Sequence, residues 1–387
     1  MKAARRIRLG VDFHTFDGIF QGSRSHLLGI YRAAIAQAPD IDFVFFLARP
    51  DALLGAYPEF AQPHVQLVTM PHRPGPWRLT WQLPFLQRRH RLDFLHVQYR
   101  LPLLPAGACL VTLHDVLFET HPQYFGKLFV KMASWSARHA VRRARITFTV
   151  SEYSRAEIAR QYHIDADRVV LTTNAVDRDR FHPRAASPAL QPAELATLAR
   201  FGLRSGGFIC MLGRLEPRKN HATLVRAYAQ LDGNPPMLAI IGQRDFAYDE
   251  VFALIEQLGL GVRVRILEDV DDDALPVLLR HAALMAYPSQ AEGFGMPVLE
   301  ALASGVAVVT SDTTSLPEVA GNAAWLVPPD DVPALAAALG TALSESAVAR
   351  SARLARGFAQ AARFNWNTAA ANLLLAVRAE WDHPRER

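Results

Sequence analysis

The chain reads as an α/β protein of two parallel, doubly wound domains, and three features predict this. Short apolar runs alternate with amphipathic helical stretches along almost the whole length. The runs are apolar at consecutive positions, as expected of parallel strands covered on both faces. With 387 residues, and roughly 100–200 residues to a domain, the chain has the length for two domains of ordinary size.

In the first half the strand candidates are Ile7–Phe13, Phe43–Ala48, Val65–Met70, Phe94–Val97, Cys109–Leu113 and Ile146–Val150. In the second they are Phe208–Leu212, Met237–Ile241, Val262–Leu267, Leu284–Tyr287 and Val306–Thr310. Helical periodicity lies between most of them, as in Arg24–Ala38, Leu128–Ala144, Thr223–Leu231, Ala274–Ala283 and Pro333–Ser344. The least structured stretch, PRAASPALQPAE at 183–194, marks a linker. The expected organisation is an N-terminal domain over 1–183, a linker over 184–200 and a C-terminal domain over 201–363. After the second sheet should be complete, FNWNTAAANLLLAVRAEW (364–381) reads as one more helix. It comes too late to serve that sheet, so residues 364–387 are expected to pack back across the first domain.

Half of the chain is hydrophobic and a fifth is charged, which excludes disorder, collagen-like repeats and a disulfide scaffold. The net charge of +5 is unevenly spread. Residues 1–183 carry 24 basic and 15 acidic side chains, whereas 184–387 carry 18 and 22. The basic half therefore suits anionic partners better. Only four cations are lysines: Lys2, Lys127, Lys131 and Lys219. Cys109 and Cys210 each sit in an apolar strand-like run of a different half, so free buried thiols are expected rather than a disulfide. MKAARRIRLGVDF lacks the apolar segment of a secretory signal, and no stretch approaches the ~20 apolar residues that cross a bilayer. A cytoplasmic chain is expected, peripheral at most on the inner face of the cytoplasmic membrane.

Open doubly wound sheets bind ligands at the carboxyl ends of their strands, so the junctions that follow strands carry the chemistry. In MLGRLEPRKNH (211–221), Gly213 and Arg214 end a strand and Lys219 falls just before a helix. A turn between them would bring two cations to the mouth of the sheet, where they suit a diphosphate. Charge-assisted bonds of this kind contribute about 1.5–3 kcal/mol each. A solvated basic loop is the alternative. In SQAEGFGMPVLE (289–300), Gly293 and Gly295 permit close backbone approach and Pro297 suits a first helical turn. The amino end of that helix is a natural seat for phosphate. Glu292 lies in the glycine loop and Glu300 on the second turn, so the two serve different purposes. The alternative is a helix that merely favours acidic residues near its start.

EGFGMPVLEA is similar to the signature of glycosyltransferase family 4, retaining, nucleotide-sugar-dependent enzymes of GT-B fold, in which two Rossmann-like domains face a central cleft. In that family two glutamates separated by seven residues fall as Glu292 and Glu300 do here, and an arginine and a lysine match Arg214 and Lys219 of GRLEPRKN. The resemblance runs on through SDTTSLPEVAGNAAWLVPPDD (311–331) and, more weakly, to HDVLFETHPQYF and SEYSR. It implies that Arg214 and Lys219 grip the donor diphosphate, that Glu300 holds the ribose and that Glu292 touches sugar hydroxyls. Backbone around Gly213 and along Gly293, Phe294, Gly295 and Met296 would complete the donor site. Two departures stand out: Val306 follows Gly305 where the family usually has proline, and Asn174-Ala-Val-Asp177 replaces its common Asn-Gly-Val-Asp.

Two junctions in the first half are also unusual. A strand candidate runs straight into His114 and Asp115. Such a histidine is often only a capping or packing residue; the resemblance implies one that faces the donor sugar across the cleft. Between the first strand and first helix lies FDGIFQGSRS (16–25), where Ser23 suits a helix cap. This loop is not a dinucleotide fingerprint. The resemblance makes Gly22 and Arg24 candidates for the acceptor and phosphate loop.

No metal is expected. Asp177-Arg-Asp179 spells an Asp-x-Asp triplet but sits at the linker approach, and Asp271–Asp273 precedes an apolar helical run as a capping cluster. With Arg214, Lys219 and a helix end to neutralise a leaving diphosphate, no cofactor is required. Residues 73–91 place Trp77, Trp81 and Phe85 at spacing four beside five arginines, with Pro84 expected to interrupt any long helix. A second basic stretch, 127–145, has helical periodicity. Either these aromatics meet an anionic membrane interface or they are core contacts with a solvated basic face. Nucleic acid is not expected as a partner, because no binding module accompanies the charge.

The resemblance implies a retaining hexosyltransferase with catalytic residues His114, Glu292, Arg214 and Lys219. The resemblance of TTSLPEVAG points to GDP-mannose as donor and to a glycan or lipid-linked oligosaccharide acceptor in surface polysaccharide synthesis. The alternatives are a nucleotide-sugar epimerase of the same architecture and a non-enzymatic membrane-docking module.

Overall fold

The structure, a computed structural model, describes residues 5–18, 22–184 and 192–384. The chain divides into two compact units: Met1–Ala175 with Asn365–Arg387, and Val176–Phe364.

The first unit holds strands β1 (Ile7–Asp12), β2 (Ile41–Leu47), β3 (Val65–Thr69), β4 (Phe94–Gln98), β5 (Ala108–Thr112), β6 (Ile146–Thr149) and β7 (Val169–Leu171). They form one parallel sheet in the order β3-β2-β1-β4-β5-β6-β7. β2 shows why its sequence is an unbroken apolar run. Phe43 and Phe45 pack into the core on one face, while Val44 and Phe46 pack into the core on the other. One core is closed by the helix Gly22–Gln37 and the C-terminal helix Trp366–Asp382, whose Ala369, Leu373 and Val377 are buried. Gly29 permits that approach: a Cβ there would stand 2.2 Å from the Trp366 ring. An Arg145–Glu380 ion pair of 3.5 Å ties the same helix down.

The second unit holds β8 (Phe208–Leu212), β9 (Met237–Ile241), β10 (Val264–Leu267), β11 (Leu284–Tyr287), β12 (Val308–Ser311) and β13 (Trp325–Val327). They run parallel in the order β10-β9-β8-β11-β12-β13. Helices His221–Ala229 and Val332–Leu343 cover one face through Leu224, Val225, Tyr228, Leu335 and Leu339. Cys109 and Cys210 are free and buried, and burial pushes the Cys109 thiol up to about 12.

Several local expectations need correction. β7 and β13 are three-residue edge strands, too short to show a period. The helix Ala347–Ala362 was also absent from the expected elements. Residues 192–200 of the expected linker form the helix Pro192–Arg200, and 185–191 lie outside the described residues. The break between units falls at Ala175/Val176 because the following segment packs into the second unit. Arg180 donates to the Asp272 carbonyl at 2.6 Å and accepts from Arg280 at 2.8 Å. Pro84 does not stop the helical run from Gly75 to Arg89: the turn Arg78–Gln82 widens to π geometry just before it, accommodating the missing N–H. Trp77, Trp81 and Phe85 are exposed rather than core contacts; Leu83 and Leu86 of the same run are buried instead. Ser23 lies inside its helix, one residue after Gly22, and so is not the cap. Asp177 accepts the Asp179 amide at 3.1 Å, so the Asp-x-Asp triplet is a local turn.

Candidate functional site

β8 pairs with β11 in the middle of the second sheet, so the loops that leave their carboxyl ends are neighbours. Pro217–Lys219 forms a 3-10 turn that delivers Lys219 to this point. Its Nζ donates to Glu292 Oε1 and to the Tyr287 hydroxyl, both at 2.7 Å. Tyr287 and Ser289 also donate to Glu292 Oε1, at 2.8 and 2.7 Å. Arg218 approaches Glu292 Oε2 at 3.1 Å and pairs with Glu216 at 2.6 Å. Two carboxylates and two cations thus form one compensated, largely buried network.

Its charges follow from competing effects. Burial alone would raise the Glu292 carboxyl, but the charges of Lys219 and Arg218, with hydrogen bonds from Lys219 and Ser289, hold it at about 2. Burial draws Lys219 below its ordinary value, aided by Arg218 and opposed by Glu292. Burial, reinforced by the Glu292 charge, pushes Tyr287 well above its usual range, so it stays a donor.

The glycine loop is pinned from beneath. The Glu292 amide donates to Thr314 Oγ1 at 3.0 Å, and Ser315 Oγ donates to the Glu292 carbonyl at 2.9 Å. Gly295 caps the helix Met296–Ala303 with φ of 102°, and a Cβ there would meet Leu316 Cδ2 at 2.7 Å. Only glycine therefore fits the entry to this helix. Phe294 is buried edge-to-face against Phe364, with ring centroids 5.3 Å apart, so it offers backbone rather than a ring; Met296 is half-buried. Glu300 is half-buried on the second turn. Burial pushes its carboxyl up to about 7, against a lowering influence from Arg180.

The expected pair of cations is not joined here as foreseen. Arg214, half-exposed, forms an ion pair of 2.9 Å with Asp245, while Lys219 turns inward to Glu292. Gly213 follows β8 directly, and a Cβ there would meet the Lys219 stem at 3.4 Å. Sequence reasoning missed Arg218, Tyr287, Ser289, Thr314 and Ser315. Arg218 was visible as a third cation in GRLEPRKN; the others join only through folding.

The first sheet presents different groups at its corresponding end. His114, just after β5, is 7% exposed and hydrogen-bonds Gln98 at 2.8 Å. His26 stacks edge-to-face on it at 5.0 Å and contacts Asn174 at 2.8 Å. His96 bridges the Tyr31 hydroxyl and Thr112, at 2.5 and 2.8 Å. Burial drives all three histidines down, His26 to about 4, His96 to about 3 and His114 well below its ordinary value. All three are neutral at physiological pH. Nearby, buried Asp12 pairs with His14 at 3.0 Å and Arg78 at 3.6 Å. Gly22 opens its helix, and the Arg24 guanidinium lies 5.0 Å over the Phe16 ring. His26 and His96 were not singled out from the sequence.

Residues 204–363 match the family described as Glycosyl transferases group 1, and residues 20–180 match Glycosyltransferase Family 4. The chain is similar to O-antigen chain mannosyltransferase B of Escherichia coli, with 36% identity over 273 residues and 70% of each chain covered. It is 26% identical to O-antigen chain mannosyltransferase RfbU of Salmonella typhimurium, spanning 57% of that protein and matching over 57% of its own length. A glycosyltransferase crystal structure from Rickettsia africae shares the fold, with a TM-score of 0.74 at 16% identity over 99% of this chain and 100% of that one. With both halves matched and a relative covered over 70% of its length, the chain belongs to glycosyltransferase family 4, the retaining, nucleotide-sugar-dependent hexosyltransferases of GT-B fold.

Proposed function

We propose that this enzyme moves mannose from GDP-mannose to a glycan or lipid-linked oligosaccharide acceptor in the synthesis of cell-surface polysaccharide, on the cytoplasmic side of the membrane. The mannosyl assignment is supported by the names of the two relatives above. The observation that carries the site is the Lys219–Glu292–Arg218 network beside the amino end of Met296–Ala303.

Breaking the anomeric bond leaves negative charge on the diphosphate and cationic character on the sugar. Lys219, Arg214 and the amides from Gly293 to Met296 stabilise the first; losing one such donor raises the barrier by about 2.7–4 kcal/mol. The network is charge-balanced within itself, so an arriving diphosphate takes over Lys219 while Glu292 keeps Arg218 and turns Oε1 to a sugar hydroxyl. Glu300 accepts the ribose hydroxyls, and their donation favours its ionised form. His114, neutral, hydrogen-bonds a sugar hydroxyl and orients it. Gly22 and Arg24 belong to the acceptor and phosphate loop. The acceptor hydroxyl attacks from the face the diphosphate leaves and gives its proton to the departing diphosphate, and the configuration is retained.

A panel of GDP-mannose, UDP-glucose, UDP-GlcNAc and dTDP-rhamnose, scored for slow donor hydrolysis by the purified enzyme, tests the donor. GDP-mannose should turn over fastest, and preference for another donor overturns the assignment. Conversion of the donor sugar without acceptor, and without hydrolysis, would favour an epimerase.

A further inference from the structure

Two helical segments of the first unit, Gly75–Arg89 and Lys127–Arg143, pack on the same core through Leu83, Leu86, Ala133, Ala137, Ala140 and Val141. Their inner sides therefore rest on one face of the sheet. Their outer sides are unusual for a water-exposed surface. Trp77, Trp81 and Phe85 stand 56%, 63% and 59% exposed on the first segment. Leu128, Met132 and Trp135 stand 73%, 53% and 60% exposed on the second. At 100° per residue these three share one stripe with His139, which stacks on Trp135 at 5.7 Å. Lys131, Arg138 and Arg142 run along its flank. Trp77, Trp81 and Trp135 are the exposed tryptophans among the described residues.

The charge on this face selects the occupant. Neither segment contains an aspartate or glutamate, although together they carry three arginines on the first and five cations on the second. Lys127 even opens its helix, where the dipole disfavours a cation, so local helix stability does not explain the pattern. A second copy of the chain would meet like charge with like charge. A neutral glycan bound on aromatic rings would need carboxylate or amide groups beside them; carboxylates are absent from both segments, Gln87 is buried, and the Gln82 amide donates to the Pro71 carbonyl. An anionic lipid surface meets both demands: headgroup charge for the cations, and an interface at which indole rings and leucine side chains insert. No single helix among the described residues is long and apolar enough to cross a membrane.

We propose that the first unit seats on anionic bilayers through the outward face of Gly75–Arg89 and Lys127–Arg143. This contact needs neither donor nor acceptor, so it stands or falls separately from the transfer reaction.

The full chain should pellet with vesicles of phosphatidylcholine and phosphatidylglycerol and stay in solution with phosphatidylcholine alone. The triple variant Lys131→Glu, Arg138→Glu, Arg142→Glu should lose about tenfold or more of the partitioning, and wild-type binding should weaken with salt. Trp81→Ala with Trp135→Ala should weaken partitioning at unchanged melting temperature, whereas Val348→Ala, on an exposed helix of the second unit, should not. Failure to pellet with anionic vesicles, or equal pelleting by the charge-reversed variant, overturns the proposal. So does sedimentation velocity showing a wild-type dimer that the tryptophan variant converts to monomer, which would assign the face to a second copy.

Discussion

The two units share a parallel, doubly wound topology and place polar side chains at the carboxyl ends of their strands, yet the chemistry there differs. At the end of β8 and β11, Lys219, Arg218, Glu292 and Glu216 meet as ions. In the first sheet His114, just after β5, meets His26 of the helix Gly22–Gln37 edge-to-face, and with His96 of β4 they are neutral rings. A compensated ion network can give one partner to an arriving phosphate without leaving a charge unpaired. A group of buried, neutral imidazoles, hydrogen-bonded to Asn174, Tyr31, Thr112 and Gln98, carries no charge with which to attract phosphate. Whole-domain charge points the other way, since the half with the positive excess carries the neutral cluster. Its surplus cations stand on outward helices, so net charge describes a surface and not a site.

Disturbing the ion network should produce the largest effect. Glu292→Ala leaves Lys219 and Arg218 buried without their shared carboxylate, which costs about 3–5 kcal/mol in pairs of this kind. Thermal unfolding should show this loss in the second unit while the first keeps its transition. Lys219→Ala leaves Glu292 paired with Arg218, so the fold should survive while turnover at saturating donor falls about 10²–10³-fold. Turnover within threefold of wild type would remove Lys219 from the reaction and break the contrast. Next in size is Leu373→Ala in the C-terminal helix, where the side chain is 1% exposed. The cavity should cost on the order of 2–3 kcal/mol. Calorimetry should place that loss in the first unit, the reverse of Glu292→Ala.

The contrast was only half legible in sequence, for physical reasons. Parallel strands covered on both faces stand out as apolar runs, and Phe43 to Phe46 needed no tertiary knowledge to find. Three-residue edge strands such as β7 and β13 carry too little pattern. Within the site, Gly295 announces itself because a strained helix entry demands glycine, and Glu292 lies beside it in the same loop. Tyr287 and Ser289 look like the end of a buried strand until folding turns them onto that carboxylate. The histidines were harder still. His26 sits inside a helix, as packing residues commonly do, and only the packing of that helix on the sheet sets its ring against His114. For Trp77, Trp81 and Phe85 the spacing alone left burial open, and only folding shows that Leu83 and Leu86 take the buried side instead.

A smaller effect separates the two glutamates by pH. Glu300, pushed up to about 7 from an ordinary 4.5, binds its proton more tightly folded than unfolded. Stability from this group is complete below pH 4.5 and is lost as pH rises towards 7. Glu292, held at about 2, does the opposite: its contribution is present above 4.5 and is lost as pH falls towards 2. Glu300→Gln should therefore gain stability relative to wild type between pH 4.5 and 7. If ribose hydroxyls bind the ionised form, donor KM should fall a few-fold as pH rises through about 7 in wild type and stay flat in the variant. Isothermal titration of the nucleoside diphosphate across that range reads the same change without turnover.

The smallest effect concerns the first unit. Because His26, His96 and His114 are neutral throughout, no histidine of that cluster titrates between pH 6 and 8. His114→Gln keeps a hydrogen-bonding group near Gln98 while removing the imidazole. One neutral hydrogen bond contributes about 0.5–1.5 kcal/mol, so turnover should fall only several-fold, to about tenfold at most. The shape of the pH–rate profile should not change, and nucleoside diphosphate affinity should stay as in wild type. A hundredfold loss with a missing acid limb would mean that His114 works by exchanging a proton. The two units would then both act through ionisable groups, and the neutral character assigned to the first would be wrong.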